Sequence, residues 1–311
     1  MKQIKNWKLI AFLGVLIIAF VAIKLFYSPR MESNIPKSLT DIDSTIVTSM
    51  IIQPASNRSQ EVSLDKEGKI WVLRNDGKNL NVESNVVASA LSSIVNLKPQ
   101  RIVSKKKDSW SKYGVVDSLA TRVKVMSNNS VEADIIVGKS DFLSSPNGGY
   151  GGAQTYVRLA DKDEVFVVDS YLEGQFNKPA DDWRDKRFTE LKPDSIDQIS
   201  FRYPADSSYV LQHKGTKWMI DNEIADSTLV KNYLSGLSNK RISKFSPLTP
   251  AGNPAFVIDF QFKGATVGKL EAWPTGDYWT MRSSLQPDYF VTSEQTNIIK
   301  EVWLGKKQFF K

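Results

Sequence analysis

His213 is the only histidine in the 311-residue chain, and there is no cysteine. Any Ser-His-Asp relay would have to pass through that one imidazole, and no His-rich spacing offers a metal its nitrogens. Without thiols, the sequence excludes disulfides, thiolate metal sites, thiol catalysis and a lipid-modified N-terminal cysteine. His213 precedes a turn at Lys214-Gly215, and the corresponding place in an earlier, similar stretch falls near Asp65. The position therefore does not demand imidazole, and His213 reads as a surface residue.

Asp181, Asp182 and Asp185 are interleaved with Arg184, Lys186 and Arg187 around Trp183. A carboxylate pair could do acid–base work. Equal opposite charges around one indole read better as a structural clasp, with Trp183 wedged between two modules, Arg184 and Asp185 beside it, and Asp181 or Asp182 capping a helical turn. The run Ser144–Gly152 is rich in glycine, but a phosphate cradle needs a strand-to-helix turn, ideally with Gly-Lys-Ser/Thr. This run leads into a strand, so it reads as a connection with Tyr150 at its tip as a candidate partner contact. Asp161, Asp163 and Glu164 fall in a hairpin turn and lack the ligand spacing of a calcium loop. At the C-terminus, Ile298, Ile299, Val302, Trp303 and Leu304 form an apolar helix face, followed by Lys306-Lys307 and Phe309-Phe310. That face can pack on its own module or dock elsewhere. Trp303, Phe309 and Phe310 join Tyr150 as candidate partner contacts. No catalytic, cofactor-binding or metal-binding residue is assigned, and no small-molecule ligand is expected.

The elements that would position these residues come in two similar sets. Ile46–Pro54 and Ile196–Pro204 are strand-like and stopped by proline. Val62–Leu73 and Val210–Ile220 follow as hairpins with Lys and Gly in the turn. Trp71 and Trp218 take the same place in the second strand of each, and read as core residues. Amphipathic helices come next. In the first, Ser84 can cap, Val87, Leu91, Ile94 and Val95 make the stripe, and Pro99 stops it. In the second, Asp226 or Ser227 caps, and Val230, Tyr233, Leu234 and Leu237 repeat at i, i+3, i+4, i+7. Each helix has about three turns, too few to stand alone in water, so it must lie on a sheet. Strand-like alternation resumes at Arg101-Ile102-Val103 and Arg241-Ile242-Ser243, continues through Val123 and Val125 and through Phe256–Phe262, and ends in long hairpins at Thr155–Ser170 and Tyr278–Ser293. Short helices close both sets, at Ser170–Phe176 and Ser293–Leu304. The order predicts an α+β fold of two tandem repeated modules, each a mainly antiparallel sheet packed on one amphipathic helix.

Ahead of the modules, Leu9–Ile23 is uncharged and strongly apolar, flanked by Trp7 and Tyr27. A helix from Trp7 to Tyr27 would extend roughly 30 Å, about one hydrocarbon core. A cleaved signal peptide is the alternative, but Phe26-Tyr27-Ser28 is a poor cleavage site. Lys2, Lys5 and Lys8 precede the span, which places the N-terminus in the cytoplasm and the bulk of the chain beyond the inner membrane. The expected divisions are a basic tip and transmembrane anchor at 1–30, a linker and first module at 31–180, and a second module at 181–311. The net charge of +7 is mostly the anchor's. Five of the 41 basic residues and no acid lie in residues 1–30, which leaves 36 basic residues against 34 acidic ones. No basic stripe remains for a phosphate backbone, and nucleic acid is not an expected partner.

The tandem hairpin–Trp–helix units, Lys112-Tyr113-Gly114-Val115, Tyr156-Val157-Arg158-Leu159 and above all the segment Asp181–Phe188 (DDWRDKRF) are similar to one bacterial family, domain of unknown function 4340. The resemblance spans roughly residues 40–300, judged by the order of motifs. It implies a membrane-anchored, extracytoplasmic accessory protein of transport systems of the gliding-motility type, built from an ATPase, a permease and an auxiliary subunit, and it carries no active site. The expected function is thus non-enzymatic: a single-pass, inner-membrane scaffold, bulk in the periplasm, that binds or braces a membrane transport or gliding-motility-type ABC complex. Binding of envelope polysaccharide or peptidoglycan is the rival. Eight tryptophans and ten tyrosines could supply stacking faces, although most Trp are placed for cores; Trp273 and Trp279 exposed near a groove would favour this rival, and buried they would not. An envelope hydrolase would need two carboxylates facing each other across a cleft.

Overall fold

The alternating segments of the sequence resolve into two antiparallel sheets. The computed structural model describes residues 7–26, 35–75, 77–128, 130–146, 148–242, 244–294 and 297–311. Lys2, Lys5, Tyr27, linker residues 28–34, Asn147 and Ser243 lie outside the described residues, as do the side chains of Trp7, Lys8 and Lys24.

The chain opens with helix α1 (Trp7–Phe26). Strands β1 (Ser49–Gln53), β2 (Val62–Glu67), β3 (Ile70–Asn75) and β4 (Lys78–Asn81) precede helix α2 (Ser84–Val95). Then come β5 (Pro99–Ser104), a short helix α3 (Trp110–Tyr113), β6 (Thr121–Ser127), β7 (Ser130–Ser144), β8 (Tyr150–Leu159), β9 (Val165–Val168) and α4 (Leu172–Phe176). The second set is β10 (Gln198–Arg202), β11 (Tyr209–Lys214), β12 (Lys217–Ile220), β13 (Glu223–Ile224), α5 (Ser227–Leu237), β14 (Phe256–Phe262), β15 (Ala265–Thr275), β16 (Tyr278–Ser283), β17 (Gln286–Thr292) and α6 (Ile298–Val302).

The first sheet runs β4-β3-β2-β1-β6-β7-β8-β9-β5 and the second β13-β12-β11-β10-β14-β15-β16-β17. Up to β9 and β17 the connections match strand for strand. Beyond β9 the first sheet adds β5; at the same place in the second, Phe245 makes an isolated bridge to Val291. Among the described residues, no strand starts at Arg241. Arg241 bridges Arg187 instead, and the Ile242 N–H donates to the Lys186 carbonyl at 2.9 Å. The segment between the modules has taken up its backbone groups.

Helix α2 buries Val87, Leu91 and Ile94 of the stripe that its spacing marks, with Ala90 added and Val95 only half-buried, and α5 buries Val230, Tyr233, Leu234 and Leu237. Helix α2 packs on β3 and α4, and α5 on β12 and α6. Asp226 caps α5, its carboxylate accepting from the N–H groups of Thr228 (2.8 Å) and Leu229 (3.1 Å). Ser84 does not cap α2. It is the first helical residue, and the cap position falls to Glu83, whose side chain makes no capping bond. The Glu83 carboxylate pairs instead with Arg241 of the second module.

Two large cores result. One gathers residues from Ile42 to Trp183, with Met50, Leu64, Leu73, Ile94 and Ile135 fully buried. The other gathers residues from Phe188 to Phe309, including Phe201, Leu211 and Phe260. A smaller cluster of Val115, Ala120, Ile136 and Val165 covers the opposite face of the first sheet. Arg158, fully buried there, donates to the carbonyls of Val115, Leu159 and Ala160 and stacks 3.8 Å from the Trp110 ring. Among the described residues, no helix is long and apolar enough to cross a membrane. In α1 the described side chains are those of residues 12–21.

Candidate functional site

Three places gather the residues singled out from the sequence: the segment between the sheets, two grooves on the second module, and the tip of the β7–β8 hairpin. In the first, a single turn at Ala180–Asp182 redirects the chain. It aims Trp183 back into the first core, where the indole is fully buried beside Phe176 at 6.3 Å. The Lys178 ammonium lies 3.7 Å from the center of that ring, and burial pulls its pKa down against the pull of Asp182. The expectation of an indole wedged between the modules is therefore corrected: Trp183 belongs to the first module alone.

The next residues do join the two. Arg184 bridges Val82 at the end of β4, and its guanidinium lies 3.4 Å from the Phe245 ring and 4.7 Å from the Tyr289 ring of the second module. The Asp185 N–H donates to the Asn81 carbonyl at 2.8 Å. Gln286 returns two bonds from the second sheet, its amide donating to the carbonyls of Asp185 (3.0 Å) and Arg187 (2.8 Å). The Tyr289 hydroxyl accepts from the Asn81 N–H and donates to the Asn79 carbonyl, both at 3.2 Å. Burial works against the Asp185 carboxylate, but hydrogen bonds from the Arg187 guanidinium and N–H, with the charges of Arg187 and Arg241, outweigh it and hold its pKa below the usual value. All three carboxylates are paired: Asp181 with Arg184, Asp182 with Lys186 and Asp185 with Arg187. The arrangement holds modules together and leaves no carboxylate there without a cation.

His213 is exposed, its ring 5.0 Å from Trp218, along a groove of about 650 Å³ that also meets Asp194, Ser227 and Lys231. Among the described residues, no hydrogen bond joins its imidazole to Asp194 or Ser227. By register His213 faces Trp218 as Lys66 faces Trp71, so its counterpart is Lys66, the neighbour of Asp65. Trp71 is buried in the first core; Trp218 is only half-buried against the second. A second groove, about 670 Å³, is lined by Asp277, Tyr278, Trp279, Glu294 and Lys300. Trp279 is half-buried there, whereas Trp273 is buried and its indole donates to the Gly252 carbonyl at 3.1 Å. Asp163 pairs with Lys107 and Asp161 with Lys162 in the β8–β9 turn. Among the described residues, no group of three or more His, Asp or Glu could hold a metal.

The C-terminal aromatic residues are corrected as docking candidates. Trp303 and Phe309 are buried in the second core and Phe310 is half-buried against it. The hydroxyls of Tyr203 and Tyr209 donate to the Leu304 carbonyl, and that of Tyr233 to the Val302 carbonyl, so the end of the chain is clamped onto its own module.

Tyr150 is different. The glycine-rich connection is strand at both ends: β7 runs to Ser144 and β8 begins at Tyr150 itself. The two form an arm that β6 and β9 do not flank, since their pairing stops at Val137 and Thr155. On it Phe142 is 62% and Tyr150 70% exposed, and Tyr171, 46% exposed, lies 5.2 Å from Phe142 ring to ring. Phe142 and Tyr171 were not singled out from the sequence. The length difference between the sets was the available signal: paired residues Val137 and Val157 stand 20 apart, while Ala272 and Met281 stand 9 apart.

No curated protein and no solved structure matches the chain. Residues 71–256, more than half of its length, match a family described as a domain of unknown function, and they include Trp71, the β7–β8 arm and the Asp181–Phe188 segment. The chain belongs to the DUF4340 family.

Proposed function

We propose that this protein is a non-enzymatic, membrane-anchored accessory protein whose two α+β modules lie in the periplasm and bind or brace a membrane transport or gliding-motility-type ABC complex. The observation that carries this reading is α1. Phe12, Leu13, Val15, Leu16, Ile17, Ile18, Phe20 and Val21 stand 46–70% exposed around the whole circumference of the helix. A helix apolar all round needs an apolar surrounding, and lipid supplies it. The basic tip sets the orientation, and the paired modules offer a braced body beyond it. The test is mild-detergent co-purification after general chemical cross-linking in cells. Recovery of a membrane subunit supports the reading. Recovery of none, or release of the protein from membranes by alkaline carbonate, overturns it.

The half-exposed Trp279 favours a second reading, in which the groove it lines binds envelope glycan by stacking. Sedimentation with insoluble cell wall tests it. Retention abolished by Trp279→Ala supports it, and no retention removes it. The buried Trp273 contributes nothing to that surface.

A further inference from the structure

We propose that the β7–β8 arm dips its aromatic face into the headgroup region of the phospholipid bilayer that holds α1. The inference rests on the anchor reading above and adds a second point of contact with the same membrane.

The sheet itself supplies the direction. Ser140, Thr155, Val168 and Pro99 are neighbours across β7, β8, β9 and β5, and mark one end of the first sheet. The arm continues past that end, from Asp141 to Ser144 and back from Tyr150 to Gln154, a reach of about 15 Å at the strand rise. The chain arriving from α1 enters at this same end. The Leu39 N–H donates to the Leu97 carbonyl at 2.7 Å, two residues before Pro99. The second module is fastened at the opposite end, where Asn81, Val82 and Glu83 precede α2. Helix α2 separates the two ends by its 12 residues, about 18 Å. From Phe26 to Ile35 the chain can stretch at most about 30 Å. The tether is thus short, and the arm projects from the tethered end.

The chemistry of the arm suits an interface. Residues opposite each other across a ladder share a face, so Phe142 with Ala153 and Ser144 with Tyr150 present one side, which Tyr171 extends. The other side carries Leu143, 40% exposed, beside polar groups: Asp141 accepts from the Tyr156 hydroxyl at 2.6 Å, and Asp169 accepts from the Gln154 amide at 2.7 Å. Rings with an apolar body and a polar hydroxyl settle at headgroup depth. In the second sheet the equivalent hairpin closes at once, with Thr275 opposite Tyr278, and carries no such arm.

The absence of cysteine makes the test direct. Full-length Tyr150→Cys and Val267→Cys, each labelled with an environment-sensitive fluorophore, are reconstituted into phosphatidylcholine–phosphatidylglycerol vesicles containing doxyl-labelled lipid. Val267, 49% exposed on the second sheet, reports a site away from the bilayer. The expected result is a blue-shifted emission and at least threefold stronger lipid quenching at position 150 than at 267. Adding Phe142→Ser and Tyr171→Ser should abolish the difference while the protein still floats with the vesicles. Equal, water-like signals from both labels in floating protein overturn the proposal and leave the anchor intact. Protein that does not float overturns the anchor, and the proposal with it. A label at 150 that photo-crosslinks to a protein subunit in native membranes and is not quenched by lipid assigns the arm to a protein and overturns the lipid contact.

Discussion

Trp71 and Trp218 occupy matching places, yet their surroundings differ. Trp71 is buried in the first core, so Trp71→Ala should cost about 3–5 kcal/mol. Trp218 keeps one side open to the His213 groove, and Trp218→Ala should cost clearly less. Denaturant midpoints of the two variants check the order. Arg158 makes a sharper case. A fully buried guanidinium holds three backbone carbonyls and ends on the largely exposed Asp117. Arg158→Met keeps the bulk and removes the donors, and each buried carbonyl left without a partner costs about 1–3 kcal/mol. Asp117→Asn leaves those three bonds in place but takes the carboxylate from a fully buried guanidinium, and should cost less than the about 3–5 kcal/mol of a pair buried at both ends because Asp117 itself is exposed. Thermal unfolding of both variants separates the backbone bonds from the charge pair.

Elements with a regular period were legible in the sequence; those set by neighbours were not. The stripes of α2 and α5, the Asp226 cap and the long hairpins follow from spacing alone. Strands β4 and β13 were missed because Lys78-Asn79-Leu80-Asn81 and Glu223-Ile224 are too short and polar to show alternation. The direction of Trp183 was missed because one turn at Ala180–Asp182 decides it, and the charges around the indole do not. The same holds for β7, where a register shift lies between Val137 and Ser140. A Cβ at Gly138 would overlap the Tyr113 carbonyl and the Val115 side chain. Gly138→Ala should therefore lower stability by about 1–3 kcal/mol through overpacking. It should also speed hydrogen exchange of the Val115 N–H, which donates to Trp110 at 3.0 Å. Unchanged exchange there would mean that the α3 segment yields without strain.

At the scale of the molecule, the segment from Arg184 to Arg187 decides whether two modules unfold as one. Arg184 stands against two rings of the second module, each contact worth about 0.5–2 kcal/mol. Gln286 adds two bonds to backbone carbonyls, worth about 0.5–1.5 kcal/mol each. Arg184→Ala with Gln286→Ala removes both sets and leaves the cores untouched. The single calorimetric transition expected at neutral pH should then split into two, one per core. Acid should produce the same split in the unaltered protein. The Asp185 carboxylate has its pKa below the value of about 3.9 for a free aspartate, so the stabilisation it confers is complete above that pH. It is lost as pH falls through the lower, folded-state value, and Arg187 then loses the acceptor that orders it. Asp185→Asn removes this titration: the variant should couple its modules less well at pH 7 and show a smaller further loss than the unaltered protein as pH falls below the free-aspartate value. If the unaltered chain already melts in two steps at neutral pH, the contacts around Arg184 position the modules without joining their stabilities, and the brace works by geometry alone.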